Sequence, residues 1–284
     1  MAMQELRTDS QQQPSLEGPL AKLRRAHTHL TELYDELNLY TSEENHHVVS
    51  DFVDEGDVRI YTMRIEVTKP LGNPTWGLLA GDFVHNLRGA LDHLVWQLVL
   101  LNGERPTRAN QFPICTTSDR YWDRDKKQPS VRERTLTGVA EPHRQMIDSV
   151  QPFLGPVRDE LHLDYHPLSV LARLSNMDKH QLITSAFVNV GEIDEGMFNI
   201  VTSDGSGVGL FEVYQHALFE DRTEIGQLEM HGVRPDLGIK IDVNLPLEIG
   251  FGYPRGIRSD GFGMLYEFVR DFVKGFRLDF EVDE

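Results

Sequence analysis

One stretch near the middle of the chain, GDFVHNLRGALDHLVWQL at residues 81–98, holds the residues best suited to chemistry. Among its leucines lie five polar candidates for a catalytic site, namely His85, Asn86, Arg88, Asp92 and His93. Histidine exchanges a proton near neutral pH, and a guanidinium group binds phosphate or carboxylate oxygens through paired hydrogen bonds. Such groups together can transfer a proton and neutralise an anion that develops during a reaction.

The apolar spacing around these residues predicts a long helix from Thr75 to Leu101. At ~100° per residue, four leucines fall on one face of this helix: Leu87, Leu91, Leu94 and Leu98. The opposite face is polar, and there Arg88 can pair with Asp92 one turn away. Because residues 81–98 contain no Lys or Glu and Trp96 lies in the polar face, we expect that face to be covered.

A second polar set is predicted on a helix from Pro167 to Lys179. The candidates for binding there are Arg173, Asn176 and His180, which share one helical face, whereas Asp178 points elsewhere. Packed against the first helix, this face would complete an internal polar cluster. Buried Arg–Asp and His–Asn networks also fix the register of packed helices without any chemistry, so a noncatalytic binding or structural protein is one alternative.

Arg88 and His93 are separated by four residues, and this R-x4-H spacing on a helix resembles the motif of the HEPN superfamily. The resemblance implies a metal-independent ribonuclease, commonly dimeric, in a toxin or phage-defence setting. In such a site the histidine handles the proton of the 2′-hydroxyl or of the leaving group, and the arginine stabilises charge on the phosphate. Gly89 stands where these proteins usually carry a polar residue, and Asn86 is the substitute we consider.

Three segments resemble a family of uncharacterised bacterial proteins of similar length over most of the chain. These segments are GDFVHNLRGALDHL, QFPI and NMDKHQL. The resemblance supports the division of the chain into elements and implies no known activity.

A metal-dependent hydrolase is the other enzymatic alternative. Its nitrogen and oxygen donors would be Asp82, His85, Asp92, His93 and His180. The chain lacks H-x3-H and H-E-x-x-H pairs, and His85 and His93 lie roughly 12 Å apart along a helix. We therefore expect no bound metal and no other cofactor.

The composition of the chain limits the cellular compartments and the binding partners that we expect. The net charge of −17 over 284 residues argues against broad adhesion to nucleic acid or anionic lipid. The basic segment RDKKQPSVRER at 124–134 is an exception, to be interpreted as a solvated loop or as a phosphate-contacting patch. A single cysteine, Cys115, and the lack of a signal peptide or a membrane-length apolar run favour a cytoplasmic protein. We expect a homodimer with RNA as its candidate partner and no membrane attachment.

The pattern of elements predicts an α+β fold. Residues 1–15 are expected to form a flexible tail, and residues 16–180 a mainly helical region with an inserted β-hairpin that turns near Glu55-Gly56-Asp57. Residues 181–284 are expected to be rich in antiparallel strands and closed by a helix over 263–276, all packed as one unit.

Overall fold

A computed structural model describes residues 13–42, 45–69, 73–123, 128–154, 165–181, 183, 185–190, 198–202, 211–214, 221–231, 239–243, 247–252 and 256–280. Helices and antiparallel sheets both occur among them, so the predicted α+β class is confirmed. No helix in these ranges is both long enough and apolar enough to cross a membrane. Residues 1–12 of the expected tail lie outside the described part, whereas the Ser15 N–H donates to Gln97 Oε1 at 2.8 Å.

The helices, in chain order, are α1 (Glu17–Ser42), α2 (Pro74–Leu101), α3 (Ser118–Trp122), α4 (Val131–Thr135), α5 (Glu141–Ser149), α6 (Pro167–Asp178), α7 (Gly261–Lys274) and α8 (Arg277–Phe280). The strands are β1 (His46–Glu55), β2 (Val58–Val67), β3 (Ser185–Val190), β4 (Phe198–Thr202), β5 (Phe211–Val213), β6 (Glu224–His231), β7 (Ile239–Val243), β8 (Leu247–Phe251) and β9 (Ile257–Arg258). The helices α2, α6 and α7 begin and end within about two residues of their predicted bounds. The five-residue helices α3 and α4 are too short to show an apolar period.

The chain divides into two compact units, and each unit is assembled from separate stretches of sequence. Unit 1 contains residues 1–31, 79–182 and 261–284, and unit 2 contains residues 32–78 and 183–260. The sequence-based division at residue 180 groups the hairpin with the helices and the last helix with the strands. The structure groups them the other way, because the hairpin pairs with a later strand.

The core of unit 1 is built on the leucine face of α2, as its periodicity predicts. Phe83, Leu87, Leu91, Leu94 and Leu98 are all fully buried. Phe83 packs edge to face on Phe262, which lies in α7, with 5.4 Å between the ring centroids. Gly103 follows α2 with a φ of +73°, the left-handed conformation that ends a helix at low steric cost.

Unit 2 contains antiparallel sheets. Its four-stranded sheet has the order β1-β2-β6-β5, a second sheet has the order β3-β8-β9, and β4 pairs with β7. The predicted hairpin is confirmed, because β1 pairs with β2 around a turn in which Gly56 has a φ of +69°. Burial alternates along β2, as a half-buried strand requires, and its buried side carries Arg59, Tyr61, Met63 and Ile65.

His46, at the start of β1, makes the stability of unit 2 depend on pH. Burial holds the pKa of His46 below 6.5, and the charge of His47 lowers it further. The folded state therefore binds fewer protons than the unfolded state near this pH. The contribution of His46 to the free energy of unfolding is complete above pH 6.5 and is lost as the pH falls toward the pKa of the folded state. We expect His46→Gln to flatten the decline in the free energy of unfolding between about pH 7.5 and pH 5.

Urea unfolding of the wild type and of His46→Gln at both pH values measures this effect. The matched control is His231→Gln, because His231 is an exposed histidine on a strand of the same sheet. If His46→Gln and His231→Gln follow the same pH profile, burial of His46 is not the cause of the pH dependence.

Candidate functional site

Arg88 and Asp92 hold both backbone polar groups of Phe112. Arg88 Nη2 donates to the Phe112 carbonyl oxygen at 2.5 Å, and Asp92 Oδ1 accepts the Phe112 N–H at 2.8 Å. Arg88 Nε also donates to Asp92 Oδ2 at 3.3 Å, as their spacing predicts. We call these two side chains the Phe112 clamp. The clamp supplies hydrogen bonds to a backbone segment that belongs to no strand or helix. It thereby holds the backbone of Phe112, whose fully buried ring packs edge to face on Phe272 of α7 with 5.5 Å between the centroids.

The clamp leaves part of Arg88 accessible. The side chain is 20% exposed, and Asp92 beside it is 33% exposed. The hydrogen bonds of the guanidinium to described residues use Nε and Nη2, so Nη1 has no acceptor in this part of the chain. Arg88 therefore combines a structural role with two N–H groups that can bind an outside anion.

His85 and His93 are exposed, and neither forms a hydrogen bond or ion pair with any residue that the structure describes. His93 lies against the first turn of α1, where a Cβ added at Gly18 would stand 3.4 Å from His93 Nδ1. Five residues correspond to ~140° around a helix axis, so Arg88 and His93 leave α2 in different directions. The R-x4-H spacing alone therefore does not bring the two side chains to one point within a single chain.

Asn86 faces α1 and is 7% exposed. Its Nδ2 donates to the backbone carbonyl of Asp82 at 2.8 Å, and its Oδ1 accepts a hydrogen bond from Lys22 Nζ at 3.3 Å. The Lys22 stem then crosses Gly89, where an added Cβ would lie 3.4 Å from Lys22 Cε. Sequence reasoning missed Lys22, and the signal that points to it is Gly89, a residue without a side chain in the middle of a polar face.

The polar cluster expected between α2 and α6 does not form among the described residues. Asn176 is exposed and forms no hydrogen bond or ion pair with the described polar residues of α2, and Arg173 is half-buried. His180 is exposed and lies beyond the end of α6, in a turn where its N–H donates to the Met177 carbonyl. The residue that reaches α2 is Asp178, because its Oδ1 occupies the space above Gly81 that a Cβ would fill.

The described residues of the chain do not cover the polar face of α2 at Trp96, where the sequence predicted a covered face. This side chain is 38% exposed, and Asp82, His85 and His93 on the same face are exposed as well. The shortage of Lys and Glu in this helix reflects local pairing instead, because Arg88, Asp92 and Asn86 each bond to backbone or to a neighbouring helix. The face is therefore accessible to a ligand.

A second polar network in unit 1 is centred on Asp148. Its carboxylate accepts hydrogen bonds from the Tyr121 hydroxyl at 2.6 Å, from Arg132 Nε at 2.9 Å and from Arg132 Nη2 at 2.8 Å. Arg132 also bonds to Glu141 at 2.8 Å. Burial raises the pKa of Tyr121, and the hydrogen bond to Asp148 raises it further. We call Tyr121, Arg132 and Asp148 the Asp148 network.

The Asp148 network changes the interpretation of the basic segment 124–134. Residues 124–127 lie outside the described part of the chain. Arg132 is not available to a phosphate, because its side chain is 12% exposed and its guanidinium is bound by two carboxylates. A solvated loop does not describe residues 131–134, which lie in α4. Arg132 and Tyr121 connect α4 and α3 to Asp148 of α5.

In the part of the chain that the structure describes, the side chains form neither a metal-binding group nor a reactive thiol. No group of three or more His, Cys, Asp or Glu there is arranged to hold a metal ion. Cys115 is buried, and burial raises the pKa of its thiol, which disfavours the reactive thiolate.

A scan of protein-family models and searches of curated proteins and of solved structures found no match to this chain.

Proposed function

We propose that the protein is a HEPN-like, metal-independent ribonuclease that works as a cytoplasmic homodimer. The observation that supports this proposal best is the state of His93, which is exposed and has no partner among the described residues. An imidazole in that state can exchange a proton with a bound substrate. The R-x4-H resemblance adds the toxin or phage-defence setting.

The chemistry assigned to these residues is transesterification of RNA. The 2′-oxygen attacks the adjacent phosphorus and loses its proton, the bond from phosphorus to the 5′-oxygen breaks, and that oxygen gains a proton. A 2′,3′-cyclic phosphate and a 5′-hydroxyl result. His93 carries one of these protons, and Arg88 Nη1 binds a phosphate oxygen as negative charge develops. His85 is a second exposed imidazole on the same helix, one turn before the clamp.

The dimer is part of the proposal because of the angle between the two side chains. Arg88 and His93 leave α2 in directions ~140° apart, so one helix does not direct both at a single phosphate. A second copy that faces this side of α2 across a groove wide enough to admit a phosphate supplies the missing group from its own helix. The site is then composite, with His93 of one protomer facing Arg88 of its partner.

An RNA cleavage assay in the presence of EDTA tests the proposal. We expect the wild type to cleave RNA with EDTA present, and His93→Ala to reduce the rate at least about 100-fold through loss of proton transfer. The matched control is His231→Ala, an exposed histidine in unit 2 that keeps full activity. Cleavage that EDTA abolishes, or that His93→Ala leaves unchanged, would overturn the proposal, and the first result would favour a metal-dependent hydrolase.

A noncatalytic binding or structural protein is the second candidate, and the Phe112 clamp favours it. In that case the polar residues of α2 serve mainly to hold Phe112, and the wild type cleaves no RNA. Asp92→Ala leaves the Phe112 N–H without its acceptor and is expected to lower stability by about 1–3 kcal/mol. His93→Ala breaks no hydrogen bond to the described residues, so it leaves the melting temperature unchanged.

A further inference from the structure

Three side chains follow one another along the exposed side of α2. The Lys22 stem crosses Gly89, His93 comes one turn later, and Trp96 comes nearly one turn after His93. At ~1.5 Å per residue, Gly89 and Trp96 lie about 6 Å and 4.5 Å from His93 along the axis, on opposite sides of it. We call Lys22, His93 and Trp96 the His93 strip.

The two ends of the His93 strip have different chemistry. Lys22 supplies a cation, and its ammonium is positioned by Asn86 Oδ1 at 3.3 Å. Trp96 supplies an aromatic surface, and it is the large apolar side chain of α2 that stays exposed within unit 1. The Lys22 ammonium lies near Gly89 and Asn86, so it is about 10 Å from Trp96 along the helix axis. A cation and an aromatic face at this spacing match an unpaired strand of RNA, because the cation binds a phosphate and the ring stacks on a base.

We propose that the His93 strip binds single-stranded RNA, with Lys22 on a backbone phosphate and Trp96 stacked on an unpaired base. This inference rests on the proposed ribonuclease and adds its substrate class. Bases in a duplex are stacked on each other and present no free face to an indole ring. Double-stranded RNA therefore offers no base on which Trp96 can stack. The acidic chain limits the contact to this local strip, which agrees with a net charge of −17.

Binding is tested separately from cleavage with an RNA oligonucleotide that carries 2′-O-methyl groups and therefore has no attacking hydroxyl. Fluorescence anisotropy at low salt compares the single strand with a duplex of the same sequence. We expect the single strand to bind at least about tenfold more tightly, and Trp96→Leu to reduce its affinity about tenfold through loss of stacking. Trp96→Phe, which keeps an aromatic face, restores most of the affinity.

A second set of variants tests the positive charge of Lys22. Lys22→Gln is expected to weaken binding and to reduce the dependence of affinity on salt by about one phosphate contact, whereas Lys22→Arg retains both. The matched control is Lys179→Gln, because Lys179 is an exposed lysine in the same unit. Melting temperatures of all variants show that each protein is folded.

The outcomes separate this inference from the proposed function. Tight binding of the methylated single strand that depends on Lys22 and Trp96, together with no cleavage of natural RNA, overturns the ribonuclease and supports the binding strip. Equal affinity for single strand and duplex, no measurable binding by the wild type, or affinity that Lys22→Gln and Trp96→Leu do not change, overturns the strip whether or not RNA is cleaved.

Discussion

Asp148→Ala is expected to lower the free energy of unfolding by about 3–5 kcal/mol, because it removes one partner of a largely buried ion pair. Asp148 and Arg132 are 13% and 12% exposed, and the carboxylate also accepts the Tyr121 hydroxyl. Alanine would leave a guanidinium and a phenol in the interior without their shared acceptor. Glu141 still binds one side of Arg132, which limits the loss.

Urea unfolding measures this change, with Glu104→Ala as the control because Glu104 is an exposed carboxylate of unit 1. Asp148→Asn should fall between Asp148→Ala and the wild type, since the amide oxygen still accepts one hydrogen bond but carries no charge. A loss of less than about 1 kcal/mol for Asp148→Ala would show that the Asp148 network does not stabilise the unit.

Phe83→Ala is the second change for which we expect a large effect. The ring is fully buried on the leucine side of α2 and meets Phe262 of α7 edge to face. Removing it creates a cavity and deletes an aromatic pair, and the expected cost is about 3–5 kcal/mol. Phe83→Leu, which refills much of the cavity, should cost less than half of that.

Met264→Ala is the control for Phe83→Ala, because Met264 lies on α7 but is 72% exposed. Thermal and urea unfolding of the three variants compare burial with exposure on the same pair of helices. If Phe83→Ala and Met264→Ala destabilise the protein equally, the contact between α2 and α7 does not contribute as its burial indicates.

Local patterns in the sequence predicted the elements well. The leucine period of α2 and the alternation of β2 were sufficient, because each depends on which side of a single element is buried. The Arg88–Asp92 pair was predictable for the same reason, since helix geometry places residues four apart side by side. The hairpin turn at Gly56 needed only the glycine and its flanking strands.

Contacts between distant segments were not predictable from one sequence. Lys22 and Asn86 are 64 positions apart, and no period or motif connects them. Arg132 and Asp148 belong to two short helices whose relative placement depends on the packing of unit 1. Asp178, and not Asn176, contacts α2, because its side chain fits the space above Gly81. The periodicity of α6 does not predict which of its residues meets a glycine on another helix.

Cys115 makes one of the two units observable by chemical labelling. It is the only cysteine of the chain, it is 1% exposed, and its N–H donates to Gln151 Oε1 at 3.2 Å within unit 1. A thiol reagent can therefore react only when unit 1 opens around this residue, and unit 2 contributes no signal. The labelling rate in dilute denaturant then reports the opening free energy of unit 1, which can be compared with global unfolding to show whether the two units open together.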